Sequence, residues 1–324
     1  MQLGDTCYRK SFLRRAVLCW KEMRKEIEAA VVLLAKKDPH SLEEALELLQ
    51  GTVFSFSMKV CGQREDAEDT MQEVLVKSLP YLPKFDSPRA LLVWLYRVAK
   101  NRCLMSRRRS KFAPKQDLSL DELMPDKLEL ELLSKEGPAT PESQAIRSQQ
   151  ARRLREAVQK LPAQYRIVLV LRDMEGLTDD EVAEITGLKP GNVRVRLHRA
   201  RLFVRKEMAQ RDGKSRAARR GAARSRSGAR SRRAGAPAAV VPVPRPASCK
   251  AMFAELSNYL DEQLDDSLCE RLEKHIDGCA PCQVFLAQLQ STIEQLRTDG
   301  DDAPRATVAA KLRRELLAAS RLAR

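Results

Sequence analysis

The stretch Leu177–Ala200, LTDDEVAEITGLKPGNVRVRLHRA, constrains the fold more than any other part of the chain. Thr178 followed three residues later by Glu181 is the pattern of a capping box, in which a hydroxyl and a carboxylate each satisfy an orphan amide at a helix start. Val182 and Ile185 supply a short apolar face, Ala183 allows close helix approach, and Gly187 permits a tight turn. A second helix is expected to begin near Pro190. At about 100° per residue, Val193, Leu197, Ala200 and Val204 fall on one side and should pack inward. Gly191, Arg194, Val195, His198 and, at its margin, Arg199 fall opposite, with Arg196 and Arg201 flanking. This is the pattern of a helix-turn-helix, whose second helix reads the major groove while nearby cations meet phosphates. The motif alone does not say what kind of regulator carries it.

Composition agrees. Aromatics are only 5% of 324 residues, and a chain so rich in Leu, Ala, Glu and Arg favours helices over sheets. A net charge of +15 points to a polyanionic partner, with nucleic acid the most economical choice. No apolar run reaches the ~18 residues of a membrane helix, so no membrane association is expected. The first twenty residues, MQLGDTCYRKSFLRRAVLCW, lack the apolar core of a secretory signal, and a cytoplasmic location is expected. Eight cysteines are scattered, and only the last pair has ligand-like spacing. That pattern suits a reducing compartment with one metal site better than a disulfide framework.

Two stretches break the helical periodicity. Ser110 to about Pro141 is polar, acidic and interrupted by prolines, and Arg211–Pro246 is rich in Arg, Ala, Gly, Ser and Pro. The second buries too little apolar surface to offset its ordering entropy and is read as disordered. The expected organisation is all-α: an N-terminal extension of uncertain role (1–38), a helical domain (39–112), an acidic linker (113–144), the helix-turn-helix domain (145–211), a tether (212–247), a small helical metal-binding domain (248–298) and a basic C-terminal helix (299–324).

In the first helical domain, Ala67, Met71, Val74, Leu75 and Leu79 recur at helical spacing and define a buried stripe. Asp66, Asp69 and Glu73 share a different face, with Gln72 beside it; charge alone would make this a solvated surface. Ser87 before Pro88 starts the next helix, whose apolar face is Leu91, Leu92, Leu95, Val98 and Ala99. That helix ends in Arg102, Arg107, Arg108, Arg109 and Lys111, more cations than a helix end requires, so phosphate contacts are expected. Trp94 and Tyr96 lie among them, the pairing that holds unstacked bases in single-stranded DNA, with core packing as the alternative for Trp94.

Near the C-terminus, KHIDGCAPCQ places His275, Cys279 and Cys282 within eight positions of a chain holding only three histidines. Adding Cys249 gives a Cys₃His set suited to one tetrahedral zinc ion, brought together by a hairpin of two helices. Cys269 is the rival fourth donor, but it sits in the middle of a helical pattern and reads as a small core residue.

The first two blocks together resemble a bacterial sigma factor of the extracytoplasmic-function (ECF) group over roughly residues 40–210. DAEDTMQEV followed by WLYRVAKNRCLMSRRR is similar to sigma region 2, and LPAQYRIVLVLRDMEGLTDDEVAEITGLKPGNVRVRLHRAR to region 4. The resemblance implies that Asp66, Asp69, Gln72 and Glu73 bind the core of RNA polymerase. It implies that Phe85 to Ala90, with Trp94 and Asn101, capture an unpaired base of the −10 element, and that Arg194, Val195, His198 and Arg199 read or brace the −35 element of promoter DNA. Val195 stands where the family often has Ser or Thr. No catalysis is implied, because the polymerase does the chemistry. The segment from Cys249 resembles the zinc-binding anti-sigma domain, usually a separate protein, with Cys249, His275, Cys279 and Cys282 at its ligand positions. Fused behind a flexible tether of about 36 residues spanning roughly 30–36 Å, it would sit near millimolar effective concentration beside the sigma domains. An intramolecular contact that regulates in cis is therefore expected. In a redox form of that idea, oxidation of Cys279 and Cys282 ejects the zinc. Two other classes compete: a helix-turn-helix regulator that needs no polymerase, and a zinc-dependent nucleic-acid enzyme. The second lacks an HExxH pattern, a phosphate-binding glycine loop and a base beside an open zinc.

Overall fold

A computed structural model describes residues 25–107, 117–124, 144–226, 247–298 and 303–322, and every regular element among them is helical. In chain order these are α1 (25–35), α2 (Pro39–Cys61), α3 (Arg64–Ser78), α4 (Pro88–Arg107), α5 (Leu120–Leu123), α6 (Gln144–Lys160), α7 (Ala163–Leu169), α8 (Asp179–Thr186), α9 (Pro190–Arg226), α10 (Ala247–Leu260), α11 (Asp266–Asp277), α12 (Ala280–Thr298) and α13 (Ala306–Leu322). They divide into two compact units: Met1–Gln116 with Val158–Leu197 and Glu294–Arg324, and Asp117–Ala157 with His198–Ile293.

In the first unit α2, α3 and α4 pack on one another. The expected stripe of Ala67, Met71, Val74 and Leu75 is fully buried, as are Leu91, Leu95 and Ala99, while Leu79 and Val98 are half-buried. Asp38 caps α2 by accepting from the Ser41 amide at 2.9 Å, and Gly62 ends it at φ +79°. A Cβ on Gly62 would come within 2.4 Å of the Gln159 side chain, so both its backbone and its surroundings require glycine.

Arg166, only 2% exposed, holds this unit together through main-chain acceptors. Its guanidinium donates to the carbonyls of Val158, Val60 and Leu161 at 2.8–3.0 Å, and to that of Gln159. The acceptors at the end of α6 are carbonyls that a helix leaves unpaired, here satisfied by a side chain from the next helix. Lys59 donates to Glu175 at 2.9 Å, and the Tyr96 hydroxyl donates to the same carboxylate at 2.6 Å, all three groups buried. The aromatic reading of Tyr96 as a base-stacking residue is corrected by this arrangement. Its ring is fully buried against Phe56 at 4.6 Å, because a carboxylate distant in sequence accepts its hydroxyl.

The C-terminal helix α13 lies on α2 and α3 within the same unit, burying Leu312 and Leu316. Arg305, just before it, grips Glu68 through its side chain at 2.8–3.1 Å and its amide at 3.2 Å, and Arg313 pairs with Glu47 at 2.6 Å. Burial pushes the Glu68 carboxyl up, but the bonds and charge of Arg305, with Arg64, outweigh it and leave Glu68 below its ordinary value.

The second unit contains α10, α11 and the greater part of α12 around Phe253, Leu256, Leu272, Phe285 and Leu289, with the Phe253 and Phe285 rings edge to face at 4.6 Å. Asp265 caps α11 by accepting from the Leu268 amide at 2.9 Å. The tether reading needs correction as well. Arg211–Arg226 continues α9 as helix, since its Ala, Arg and Lys carry high helix propensity that outweighs two glycines. Residues 227–246 of that stretch lie outside the described residues.

Candidate nucleic-acid interface and metal centre

The helix-turn-helix forms as its local signals require. The Thr178 hydroxyl accepts from the Glu181 amide at 3.3 Å, and the Glu181 carboxylate accepts from the Thr178 amide at 2.8 Å. Gly187 closes α8 at φ +76°, and α9 starts at Pro190. Val193, Leu197, Ala200 and Val204 are buried as expected. Arg194 and Val195 are exposed near the start of α9, Val195 at 50%, and Arg196 and Arg199 are half-exposed. Arg194 lies 3.9 Å from Asp179, a loose pairing that leaves it available to other anions.

Two residues expected on the outward face or flanking it are enclosed instead. Arg201 has no exposed side-chain surface; it binds the Asp261 carboxylate through two nitrogens at 2.7 and 2.9 Å and donates to the Ser257 hydroxyl at 2.7 Å. His198, three residues earlier on the same side, is 7% exposed, and neither ring nitrogen has a hydrogen-bond partner among the described residues. Burial first, then the charges of Arg201 and Arg199, pull its imidazole down to about 4. Arg205, a turn further on, lies 4.4 Å over the Phe285 ring and reaches Gln288 at 3.4 Å. A hundred-degree projection groups these residues correctly but cannot say that α10 and α12 supply side chains to that face.

On α4, Trp94 is half-buried and sits with two other aromatics, 5.5 Å from the exposed Tyr81 ring and 6.1 Å from Phe85. Asn101 is exposed. Arg107 is the last residue of α4, its side chain undescribed, and Arg108 and Arg109 lie outside the described residues. Other cations of this helix are engaged within the first unit: Arg89 with the Glu184 carboxylate at 2.8 Å, Arg97 with its carbonyl at 2.7 Å, and Lys100 with the Ile185 carbonyl at 2.8 Å. They meet the C-terminal end of α8, where helix carbonyls and dipole favour positive charge.

On α3, Asp66 and Asp69 are exposed and Gln72 and Glu73 half-buried. Glu73 is bound by Lys77 at 2.6 Å and by Arg102, and the Lys77 bond chiefly holds its carboxyl below the ordinary value.

His275 on α11, Cys279 just before α12 and Cys282 in the first turn of α12 gather into a cluster whose donor atoms all lie within 4.8 Å of one another. His275 Nε2 and Cys282 Sγ are 3.2 Å apart. Tetrahedral zinc with bonds near 2.0–2.3 Å places neighbouring donors roughly 3.5–4 Å apart, so separations between 3.2 and 4.8 Å bracket that spacing and small side-chain shifts would bring the three onto one ion. Cys249 falls in the first turn of α10 rather than before it, and its side chain lies outside the described residues. Cys269 is not among the clustered donors; its thiol lies 3.7 Å from Glu273.

Sequence reasoning missed Lys59, Glu175, Arg166, Asp261 and Arg305. Each acts on a group remote in sequence, so no local spacing marks it.

Comparison with known proteins matches three segments to family models: Sigma-70 region 2 over residues 46–112, Sigma-70 region 4 over residues 151–204, and a zinc-finger family over residues 249–283. The last begins at Cys249 and ends one residue beyond Cys282. A comparison with RpoE of Bartonella quintana, solved with the anti-sigma factor NepR, has a TM-score of 0.35 at 20% identity over 50% of this chain and 92% of that one, too low to align the two arrangements. ECF RNA polymerase sigma factor SigW of Bacillus subtilis is 27% identical over 57% of this chain and 98% of its own length. SigD of Mycobacterium bovis, another ECF sigma factor, is 30% identical over 54% of this chain and 80% of its own. Both region models fall in sigma-factor order and the match to SigD spans most of that protein, so the chain belongs to the ECF RNA polymerase sigma factors.

Proposed function

We propose that this sigma factor directs core RNA polymerase to promoters and carries its own restraint, the zinc-binding segment, in cis. Sigma factors supply address and strand separation rather than bond-breaking. In this reading Asp66, Asp69, Gln72 and Glu73 meet the polymerase. Phe85, Trp94, Asn101 and Arg107–Arg109 take the −10 element, for which the half-open aromatic group of Tyr81, Trp94 and Phe85 is suitable. Arg194, Val195, Arg196 and Arg199 take the −35 element, joined by His198 and Arg201 once their side of α9 is uncovered.

One observation carries the restraint. Arg201, a cation expected at phosphate, is wholly buried against the carboxylate of Asp261, which belongs to the segment matched to the zinc-finger family. Two guanidinium nitrogens on two carboxylate oxygens make the same planar fork that would grip a phosphate. His198 supports the reading too, since a buried imidazole without a partner among the described residues is a group suited to other company. Cys249, His275, Cys279 and Cys282 would hold the zinc, which ties α10, α11 and α12 together and so presents Asp261 and Phe285 as one surface. When bound, the ion supplies cross-linking energy to a small domain whose core is slight.

Run-off transcription with core polymerase tests this, comparing the full chain with one ending at Arg226, each with and without a zinc chelator. Truncation is expected to raise transcript several-fold, and chelation to do so for the full chain only. Equal transcript and equal core affinity for both chains would end the cis reading while leaving the sigma assignment standing.

A further inference from the structure

Cys61 and Cys103 have been given no role so far, although Cys103 lies within the region 2 stretch WLYRVAKNRCLMSRRR. Cys61 is the last residue of α2 and Cys103 sits on the final turns of α4, 42 positions later, with their sulfurs 2.8 Å apart. Two buried thiols in a core are ordinarily small apolar fillers. These are closer than unbonded sulfurs rest, and they need to close by only about 0.8 Å to reach a disulfide's ~2.05 Å. Both are buried, at 6% and 2% exposure, and Thr70 Oγ1 stands 4.0 Å from Cys103 Sγ. Cys61 is the more accessible, at a helix end beside the left-handed Gly62.

We infer that Cys61 and Cys103 form a redox-closing dithiol, oxidised by a hydroperoxide to a disulfide that staples the end of α2 to α4. The Cys61 sulfur attacks the peroxide's terminal oxygen; the O–O bond breaks, an alcohol leaves and Cys61 becomes a sulfenic acid. The Cys103 sulfur then attacks that of Cys61; the S–S bond forms, the S–O bond breaks, and water leaves with the Cys103 proton. Two thiols lose two electrons and two protons, and the peroxide is reduced to alcohol and water. The closed loop encloses α3 and most of α4, so the modification stiffens the stretch that carries Asp66, Asp69, Trp94 and Asn101. It requires neither zinc nor the restraint proposed above.

The test is stepwise tert-butyl hydroperoxide on the full, zinc-loaded chain, followed by alkylation under denaturing conditions and peptide mapping, with zinc release followed by a chromophoric chelator. A Cys61–Cys103 linked peptide is expected in more than half of the molecules. In Cys103→Ala, with Cys103→Ser as the alternative should the alanine fail to fold, that peptide is expected to vanish and Cys61 to be trapped as a sulfenic acid by a 1,3-diketone. If Cys279 and Cys282 are fully oxidised while Cys61 and Cys103 still alkylate, the dithiol is overturned. Pairing of either with a different cysteine overturns it equally.

Discussion

The start of α9, through Val195, and the turns that follow carry similar residues to opposite ends. Arg194 and Val195 stand in solvent, whereas His198, Arg201 and Arg205 are enclosed. In the open part, charge is cheap because water screens it. In the enclosed part each polar group has to be matched or left at a cost: Arg201 by Asp261, Arg205 by an aromatic face, His198 by losing its proton. A helix polar on one side is therefore not necessarily wet on that side.

The sharpest way to break this contrast is Asp261→Ala. It leaves a buried guanidinium uncompensated and is expected to destabilise the second unit by about 3–5 kcal/mol, read by urea denaturation of the full chain. A cost under about 1 kcal/mol, the worth of an exposed pair, would mean that Arg201 is solvated in solution and that the two parts of α9 do not differ.

Next comes pH. His198 titrates near 4 when folded against an ordinary 6.5. Between those values the unfolded chain takes up a proton that the folded chain refuses, so stability falls as pH drops through 6.5 toward 4 and is fully restored above it. The expected span is at most about 3 kcal/mol. Denaturation midpoints at pH 5 and pH 7 check it: His198→Gln should flatten the difference, and an unchanged slope would show the imidazole to be exposed.

Smaller effects sharpen the comparison elsewhere. Arg305→Ala removes the guanidinium from a buried carboxylate, Glu68, but Arg305 is itself exposed, so only a small loss of stability is expected. Hydrogen exchange along α13 should accelerate several-fold, and unchanged exchange would show that Leu312 and Leu316 suffice to hold that helix. Thr178→Ala removes one arm of the capping box and should cost about 1 kcal/mol, a local helix-start effect that serves as the control for a site away from the enclosed side of α9.

What the sequence made legible follows the range of the forces involved. The capping box, the Ser87–Pro88 helix start, the Gly187 turn and the His275–Cys279–Cys282 cluster all rest on residues within a few positions of one another. Tyr96 defeated the same reading because its acceptor is 79 residues away, and Arg201 because Asp261 is 60 away. For Arg211–Arg226 the composition argument looked at burial and overlooked propensity: alanine and arginine stay helical without a core to pack on.

The cluster of Lys59, Glu175 and Tyr96 adds a buried ion pair and hydrogen bond between the three-helix core and the π-turn Val170–Met174 and its neighbours. A joint of that kind recovers hydration on every group the moment it parts, so separation forfeits little net free energy. An apolar seam would instead expose surface with no such compensation. Only one arrangement satisfies all three groups together, so the contact fixes the registry of the parts it joins.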